Sequence, residues 1–290
     1  MKIKPTQDNL QEWIEIYVPE KDLFFLSEDN LSKIDVSDVL FMPADEFFNH
    51  STYKQINYVN SYLYWNIKNV HYVIIAEKNW IESISAEERK LIFSFQIECK
   101  RGLVVPNRFV DEIEKIPSNY IVNQNIIIQR AMWEMLDGSV KEQLLCRMVY
   151  EWWDNGDCES PPNSMSSFLK PFANIFSNRQ GANCLAAVLF AVSNGEQEWF
   201  IYEWIYQKTF IETLKRSNYD EFTGDGLQKD DVVVWHDKNG IIQHAACYIG
   251  DGLFFNKDGQ TIFNPWKILK EEQLYKHWER LTPMKYRQVM

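Results

Sequence analysis

The chain lacks the cysteine patterns that mark disulfide-rich and zinc-binding proteins. Its five cysteines are odd in number and widely spaced, and no two of them form a CxxC pair. They are Cys99, Cys146, Cys158, Cys184 and Cys247. We therefore expect neither a disulfide framework nor a thiolate zinc site. His50, His71 and His277 are scattered without metal-ligand spacing, and no glycine-rich phosphate loop is present, so we expect no metal and no other cofactor.

Long apolar runs and an excess of positive charge are also absent. No run approaches the roughly 18 to 20 apolar residues that cross a bilayer, and the polar residues 1–10 lack the apolar core of a secretory signal. The 30 Lys and Arg residues face 41 Asp and Glu residues, and the net charge of -11 disfavours binding to nucleic acid or anionic lipid. We therefore expect a cytoplasmic protein with no nucleic-acid or membrane partner.

The chain is long enough for two domains. It has 290 residues, of which 46% are hydrophobic and 15% aromatic, so it can bury a substantial core. Residues 154–167 are polar and contain two prolines, which interrupt regular structure. We place the boundary there, between an N-terminal domain of mixed helix and strand at residues 1–155 and a C-terminal domain at residues 165–290. The role of the N-terminal domain is open, and binding a protein partner is one possibility.

Local patterns predict elements in both domains. Capping boxes that begin at Ser85 and Ser139 predict two helices, and residues 70–76 predict a strand. Residues 184–192 are apolar at every helical phase, which is typical of a buried helix, and Asn183 is its predicted N-cap. A helix over about residues 196–215 follows. Strands are expected at residues 231–236, 241–250, 253–256 and 261–264, and the short turns between them require antiparallel pairing, so the sequence predicts an α+β fold.

Cys184 stands in the first turn of the predicted buried helix, where a nucleophilic thiol is expected. A thiol attacks as the thiolate, and its ordinary pKa of about 8.5 leaves only a few per cent ionised at neutral pH. The N–H groups and the dipole of a helix N-terminus favour the thiolate. An imidazole can accept the thiol proton and pass it to a leaving group, and a third polar side chain can orient the imidazole.

His244 and Asn256 are the candidate partners of this thiol. Alternate residues of a strand share a face, so His244 and Tyr248 point one way, while Cys247 points the other way and packs in the core. Asn256 reaches the face of His244 only if the hairpin contains an extra residue. We therefore predict a three-residue connection with a bulge, which pairs Tyr248 with Asn256 and holds Gly252 in a left-handed conformation.

The order of these motifs resembles a known family. Residues 181–184 (GANC) open the apolar helix, residues 230–235 (DDVVVW) form a strand, and residues 243–256 (QHAACYIGDGLFFN) carry the base and the third residue. This order resembles the NlpC-type cysteine peptidases, which are papain-like cell-wall hydrolases in which the third residue lies twelve positions after the base. Residues 278–289 resemble the closing strand of the family, so the resemblance covers about residues 165–290. Three features differ: Cys184 is not in the common Asp-Cys-Ser-Gly setting, Ala246 replaces the usual Gly, and Asn256 replaces the commoner His.

The resemblance implies a papain-like thiol protease or amidase with Cys184, His244 and Asn256 as its catalytic triad. Cys184 would attack an amide or isopeptide carbonyl and form an acyl-thioester, and its N–H and the side chain of Gln180 are candidates for holding the oxyanion. The implied substrate is a peptide or a peptidoglycan fragment, and the γ-glutamyl link of a stem peptide is a candidate bond.

Other interpretations of the same residues stay open. Cys184 could be a small core residue, and Asp258 or Gln260 could orient the imidazole in place of Asn256. His236 lies beside a turn and is expected to be exposed rather than catalytic. A transferase on the same fold would pass the acyl group to a nucleophile other than water. A binding module would keep the scaffold without the reaction.

Overall fold

A six-stranded antiparallel sheet organises the C-terminal part of the chain in the computed structural model, which describes residues 1–224 and 226–289. The chain divides into a C-terminal unit, Met1–Asn9 with Val149–Met290, and an N-terminal unit, Leu10–Met148. The division lies earlier than the boundary predicted at residues 154–167. The first residues join the C-terminal unit because the Ile3 N–H donates to the Gly156 carbonyl at 2.9 Å and Lys2 forms a β-bridge with Asp157.

The N-terminal unit combines helices with small antiparallel sheets. Its helices are α1 (Gln7–Ile16, which begins before the division), α2 (Glu28–Leu31), α3 (Ala44–Asn49), α4 (Ile56–Ser61), α5 (Trp80–Ser83), α6 (Ala86–Glu98), α7 (Arg130–Met135) and α8 (Gly138–Met148). Its strands are β1 (Asp22–Leu26), β2 (Leu40–Pro43), β3 (Tyr72–Ala76), β4 (Val104–Pro106), β5 (Ile121–Val122) and β6 (Asn125–Ile127). They pair in the orders β1-β3-β2 and β4-β6-β5. The predicted capping box at Ser85 is confirmed, whereas α8 begins one residue before Ser139, which is therefore not its N-cap.

A buried polar group lies in the core of the N-terminal unit. Asp22 is 1% exposed, and its Oδ1 accepts a hydrogen bond from the Arg130 N–H at 2.9 Å. The buried Arg101 guanidinium donates to the carbonyls of Leu23 and Ile128. Burial raises the pKa of the Asp22 carboxyl to about 7, although the Arg130 hydrogen bond and the charges of Arg101 and Arg130 oppose the shift.

The C-terminal unit contains the predicted buried helix and the predicted antiparallel meander. Its elements are α9 (Cys184–Val192), α10 (Gln207–Arg216), β7 (Tyr219–Phe222), β8 (Val232–His236), β9 (Ile242–Gly250), β10 (Leu253–Lys257), β11 (Trp266–Lys270), α11 (Glu271–His277) and β12 (Thr282–Gln288). The strand order is β11-β10-β9-β8-β12-β7, and neighbouring strands are antiparallel. An α+β fold with antiparallel sheets is therefore present. Within the described residues, no helix has both the length and the apolar character that a membrane span needs.

The two faces of the six-stranded sheet are covered by different elements. The face that carries Val234 and Ala245 packs in one core cluster with α9. The opposite face carries Trp235 and Ala246, which pack against Leu274 of α11. Every residue of β8 is buried, as expected for a valine-rich strand that is covered on both sides. Each side chain of β8, β9 and β10 is therefore assigned to one of two separate environments.

Of two further predicted elements in the C-terminal unit, one is right only in its second half and the other is wrong. The helix expected over residues 196–215 is a 3-10 turn at Glu198–Tyr202 followed by α10, because the intervening aromatic rings pack individually, as in the pair of Trp204 with Tyr206, and not along one helical stripe. The strand expected at residues 261–264 is a loop. There the Thr261 hydroxyl donates to Asn264 Oδ1 at 2.7 Å, and such local bonds compete with strand pairing. The strand β11 begins only at Trp266.

We predict that the original chain loses stability as the pH rises from 4 to 8 and that Asp22→Asn does not show this loss. An unfolded aspartate has a pKa of about 3.9, so the folded chain binds an additional proton at Asp22 between about pH 4 and pH 7. This group stabilises the fold at low pH, and the contribution is lost as the pH rises towards 7. An amide does not ionise, so the variant should gain up to about 4 kcal/mol over the original chain across this range.

Urea unfolding at pH 4, 6 and 8 measures this effect. The exposed Asp29 provides the control, because Asp29→Asn should leave the pH profile of the original chain unchanged. Parallel profiles for the original chain and Asp22→Asn would contradict the buried, protonated carboxyl.

Candidate functional site

Cys184 occupies the first turn of α9, as the sequence predicts. Asn183 is the N-cap: its Oδ1 accepts a hydrogen bond from the Ala186 N–H at 3.0 Å, and its Nδ2 donates to the Ile205 carbonyl at 2.8 Å. The cap fixes the start of the helix, so that Cys184 lies among the N–H groups of its first turn. Cys184 is half-buried, while the rest of α9 is buried. The residue therefore lies at a helix N-terminus and is partly exposed, although its thiol is buried deeply enough to shift its pKa.

The β9–β10 hairpin places Asn256 on the face of His244, but by a different route from the one predicted. The turn has two residues, Asp251 with φ 54° and Gly252 with φ 71°, and Gly250 pairs with Leu253. The register then shifts, so that Tyr248 pairs with Phe254 and Cys247 with Phe255. The left-handed Gly252 is confirmed. The three-residue connection that pairs Tyr248 with Asn256 is wrong, because the bulge lies in β9 at Ile249 and shifts the register there.

A chain of hydrogen bonds joins His244, Asn256 and Asp258. His244 Nε2 lies 2.5 Å from Asn256 Oδ1, and Asn256 Nδ2 donates to Asp258 Oδ1 at 2.7 Å. A carboxylate can only accept hydrogen bonds, so the NH₂ of the Asn256 side chain must face Asp258 and its Oδ1 must face the imidazole ring. His244 Nε2 must then carry the proton that it donates. Nδ1 is therefore the proton-accepting nitrogen of the neutral imidazole.

Aromatic rings enclose His244. Its ring stacks on Trp278 with centroids 4.6 Å apart and an interplanar angle of 16°, and Trp235 lies 5.6 Å away in the neighbouring strand. His244 is 1% exposed. Next to these rings lies an open cavity of about 580 Å³, a size typical of small-ligand pockets. It is lined by Asp237, Gln243, His277, Trp278, Glu279, Arg280 and Leu281.

Cys184 and His244 approach the same strand from opposite faces. His244 lies opposite Trp235 in the ladder and shares its face, whereas α9 packs on the face of Ala245. The Cys184 thiol is next to the backbone N–H of Ala245, the residue that follows His244. In the part of the chain that the structure describes, no hydrogen bond joins the thiol to the imidazole. The structure thus brings His244 and Asn256 together and connects Cys184 to them through the peptide backbone.

Burial favours the neutral forms of both groups. It raises the pKa of the Cys184 thiol to about 11, although hydrogen bonding to the N–H groups of Ala245 and Leu185 opposes the shift. It lowers the pKa of His244 to about 4, against the charge of Asp258 and the hydrogen bond that the ring donates to Asn256. Burial also acts to raise the pKa of Asp258, but the charges of His244 and Lys267 and the bond from Asn256 outweigh it and hold that pKa below its usual value. At neutral pH the site therefore contains a thiol, a neutral imidazole and a carboxylate.

The loop before α9 is tied to the loop that follows β10. The Gly181 N–H donates to the Gln260 carbonyl at 3.1 Å, and the half-buried Gln180 precedes it. Gln260 thus contributes a backbone contact to the Cys184 side of the site. Asp258 lies in the same loop and holds Asn256, so of the two alternative orienting residues it is the one whose side chain enters the chain of hydrogen bonds.

Lys257 and Trp278 belong to this site and were missed by the sequence analysis. Lys257 is 0% exposed and lies beside Asn256 in β10. Strand alternation predicts only that Lys257 faces away from Asn256, and no local signal shows that this is the face of α9. Trp278 reaches His244 only through the packing of α11 on the sheet, which has no local sequence signal.

Two secondary predictions about this region can be compared with the structure. Cys247 is buried in the core cluster of α9, as expected for a packing residue. His236 was expected to be exposed and is only 9% exposed, because Thr282 of β12 pairs with it and covers this end of β8. Among residues 1–224 and 226–289, no group of three or more His, Cys, Asp or Glu side chains could hold a metal ion.

Comparisons of the chain with protein-family models, with curated proteins and with solved structures found no match.

Proposed function

We propose that the C-terminal unit is a cysteine hydrolase that cleaves an amide or isopeptide bond through an acyl-thioester. Cys184 is the nucleophile, His244 the base, and Asn256 the residue that orients the base. The resemblance of residues 165–290 to NlpC-type peptidases suggests a papain-like thiol peptidase whose substrate is a peptide or a peptidoglycan stem fragment. The N-terminal unit would then bind a protein partner or control access to the site.

The hydrogen bond between His244 and Asn256 is the observation that carries this proposal. It is 2.5 Å long and buried, and Asp258 fixes the amide that forms it. A buried imidazole with a fixed tautomer and a proton-accepting Nδ1 is what a general base requires. A histidine that only filled the core would not need Asp258 to fix the amide that holds its ring.

The reaction can be written with all protons accounted for. Cys184 Sγ bonds to the carbonyl carbon while the thiol proton passes to His244 Nδ1, and the N–H of Cys184 with the side chain of Gln180 stabilises the oxyanion. The C–N bond then breaks, and the proton moves from Nδ1 to the departing amine. Water attacks the thioester and gives a proton to Nδ1. The C–S bond breaks, this proton returns to sulfur, and a carboxylic acid leaves.

The proton transfer requires the His244 ring to reach the thiol around the end of β10. In the observed register Cys247 pairs with Phe255, so the position opposite His244 would be Asp258, one residue beyond the last residue of β10. No strand residue therefore flanks His244 on that side. In the proposed mechanism the imidazole and the thiol meet at this end of the strand.

A binding module on the same scaffold is the second candidate function. The observation that favours it is the pair of pKa shifts: about 11 for Cys184 and about 4 for His244, which keep both groups neutral. A thiolate–imidazolium pair needs the opposite shifts. A transferase differs from the hydrolase only in the nucleophile that resolves the thioester, and product analysis with an added amine distinguishes these two.

We predict that Asn256→Asp combined with Asp258→Asn raises the pKa of His244 from about 4 by one to three units, because the exchange moves the carboxylate next to Nε2 and keeps an amide donor at position 258. Titration of the histidine ring protons by NMR measures this shift without a substrate. The signals of His50 and His71, which lie in the N-terminal unit, are internal controls and should not move. An unchanged His244 titration would mean that Asn256 does not govern the ring.

We predict that Cys184→Ala and His244→Ala each reduce turnover of a cleaved stem peptide by at least about 10³-fold, since both groups take part in the same bond-forming step. Turnover is measured by chromatography of the released fragments, and mass spectrometry should detect an acyl adduct on Cys184 of the original chain. Cys247→Ala is the matched control, because Cys247 packs in the core next to α9 and should leave the rate constant of the folded protein unchanged.

Full turnover by Cys184→Ala would disprove the hydrolase. Absence of turnover across a panel of γ-glutamyl and ordinary peptide links, together with slow alkylation of Cys184 at every pH, would favour the binding module.

A further inference from the structure

Lys257 is a buried cation without a carboxylate partner. It is 0% exposed, and its Nζ donates to the carbonyls of Thr261 and Asn264 at 3.1 Å and 2.5 Å. In the part of the chain that the structure describes, no carboxylate lies within ion-pair distance of this ammonium. An ammonium has three N–H donors, so one remains beyond the two carbonyls. A buried charge is costly unless an opposite charge compensates it.

A second buried lysine of the same sheet, Lys267, does have a carboxylate counter-ion. Its Nζ lies 2.7 Å from Asp154 Oδ2, and both side chains are almost fully buried. Lys267 and Lys257 therefore have similar burial, but only Lys267 has a carboxylate as its counter-ion. Among the described residues, the Trp266 ring, whose centroid lies 5.6 Å from Nζ, gives Lys257 a cation–π contact but no formal negative charge.

The Cys184 thiol is the group that can supply this negative charge. Successive side chains of a strand point to opposite faces, so Lys257 lies on the face of Phe255 and not on that of Asn256. Phe255 packs in the core cluster that contains α9, and Cys184 packs against that cluster. The loop whose carbonyls accept the hydrogen bonds of Lys257 also contains Gln260. The Gln260 carbonyl accepts a hydrogen bond from the N–H of Gly181, which lies three residues before Cys184. Lys257 and Cys184 are thus held on the same face by the same loop.

The electrostatics of Lys257 agree with this placement. Burial lowers the pKa of Lys257 to about 7, and negative charge at Cys184, Asp258 and Asp154 acts to raise it. The amine therefore changes its protonation state near neutral pH. A thiolate at Cys184 would hold it protonated, and by linkage a protonated Lys257 favours the thiolate.

We propose that Lys257 is a positioning residue of the Cys184 site, whose buried ammonium stabilises the thiolate from the face of the sheet opposite His244. The proposal deepens the proposed hydrolase function and rests on it for its biological purpose, but the coupling of the two groups can be measured without a substrate. Lys257 would supply the charge that the neutral His244 does not supply at rest. It would also fix the loop that carries Asp258.

The rate of Cys184 alkylation as a function of pH tests this proposal. The full-length protein is treated briefly with iodoacetamide between pH 6 and pH 11, and peptide mass spectrometry quantifies the modification of Cys184. Lys257→Met should raise the apparent pKa of Cys184 by about one unit or more, which slows alkylation about tenfold at pH 6 to 7, where the amine of the original chain is still largely protonated. Lys257→Arg keeps the charge and should remain close to the original profile over that pH range.

Lys267→Met is the matched control, because it removes an equally buried ammonium from the opposite face. It leaves Asp154 unpaired and is expected to lose stability, but the alkylation profile of Cys184 should not shift. Thermal unfolding identifies the temperature at which all variants are folded. Lys257→Gln, which retains an N–H donor for the loop, replaces Lys257→Met if that variant does not fold.

An unchanged profile in Lys257→Met or Lys257→Gln would overturn the proposal, and so would an equal shift in Lys267→Met, which would mean that lost stability is the cause. The outcome is separable from that of the hydrolase. If Cys184→Ala retains turnover while Lys257→Met shifts the profile, the hydrolase is wrong and the coupling between Lys257 and Cys184 stands.

Discussion

The register of the β9–β10 hairpin is the constraint on which the candidate site depends. Side chains alternate between the two faces of a strand, so a shift of one residue exchanges the faces of Asn256 and Lys257. With the bulge at Ile249, Asn256 meets His244 and Lys257 faces α9. Without it, an amide would lie under the helix and an ammonium would point at the imidazole. One unpaired residue thus determines two buried polar environments.

These two environments are satisfied in different ways. On the face of α11, His244, Asn256 and Asp258 form a continuous chain in which each group has a partner of matching chemistry. On the face of α9, Lys257 has two backbone carbonyls but no carboxylate. Buried polar groups are retained at a cost in stability unless they are fully paired. The ammonium that lacks a carboxylate therefore lies on the same face of the sheet as the candidate nucleophile.

The sequence predicts the elements of the C-terminal unit better than their mutual packing. The bounds of α9 follow from an uninterrupted apolar run and a capping Asn183, both of which are local signals. β8, β9 and β10 follow from valine-rich and alternating segments between turns. The contact of His244 with Asn256 was also predictable, because it needs only strand parity and a bulge somewhere in the hairpin.

The face on which α9 packs was not predictable in the same way. Small residues at both Ala245 and Ala246 allow a helix to approach from either side, so no local pattern distinguishes the two faces. The choice depends on the total apolar area that each face offers to the rest of the unit. The same limit explains Trp278, which reaches His244 from the position just after α11, and the loop at residues 261–264, where side-chain bonds replace the expected strand pairing.

The opposing placement of Cys184 and His244 changes how the thiol can be activated. In a site where the imidazole contacts the sulfur at rest, one partner supplies both the proton acceptor and the positive charge. Here burial keeps His244 neutral, so it can accept a proton but provides no charge before the reaction begins. The helix N-terminus is one source of positive potential at the sulfur, and in our proposal Lys257 is a second. Proton acceptance and charge stabilisation would then come from opposite faces of one strand, and Ala245 between them determines the distance that the proton must travel.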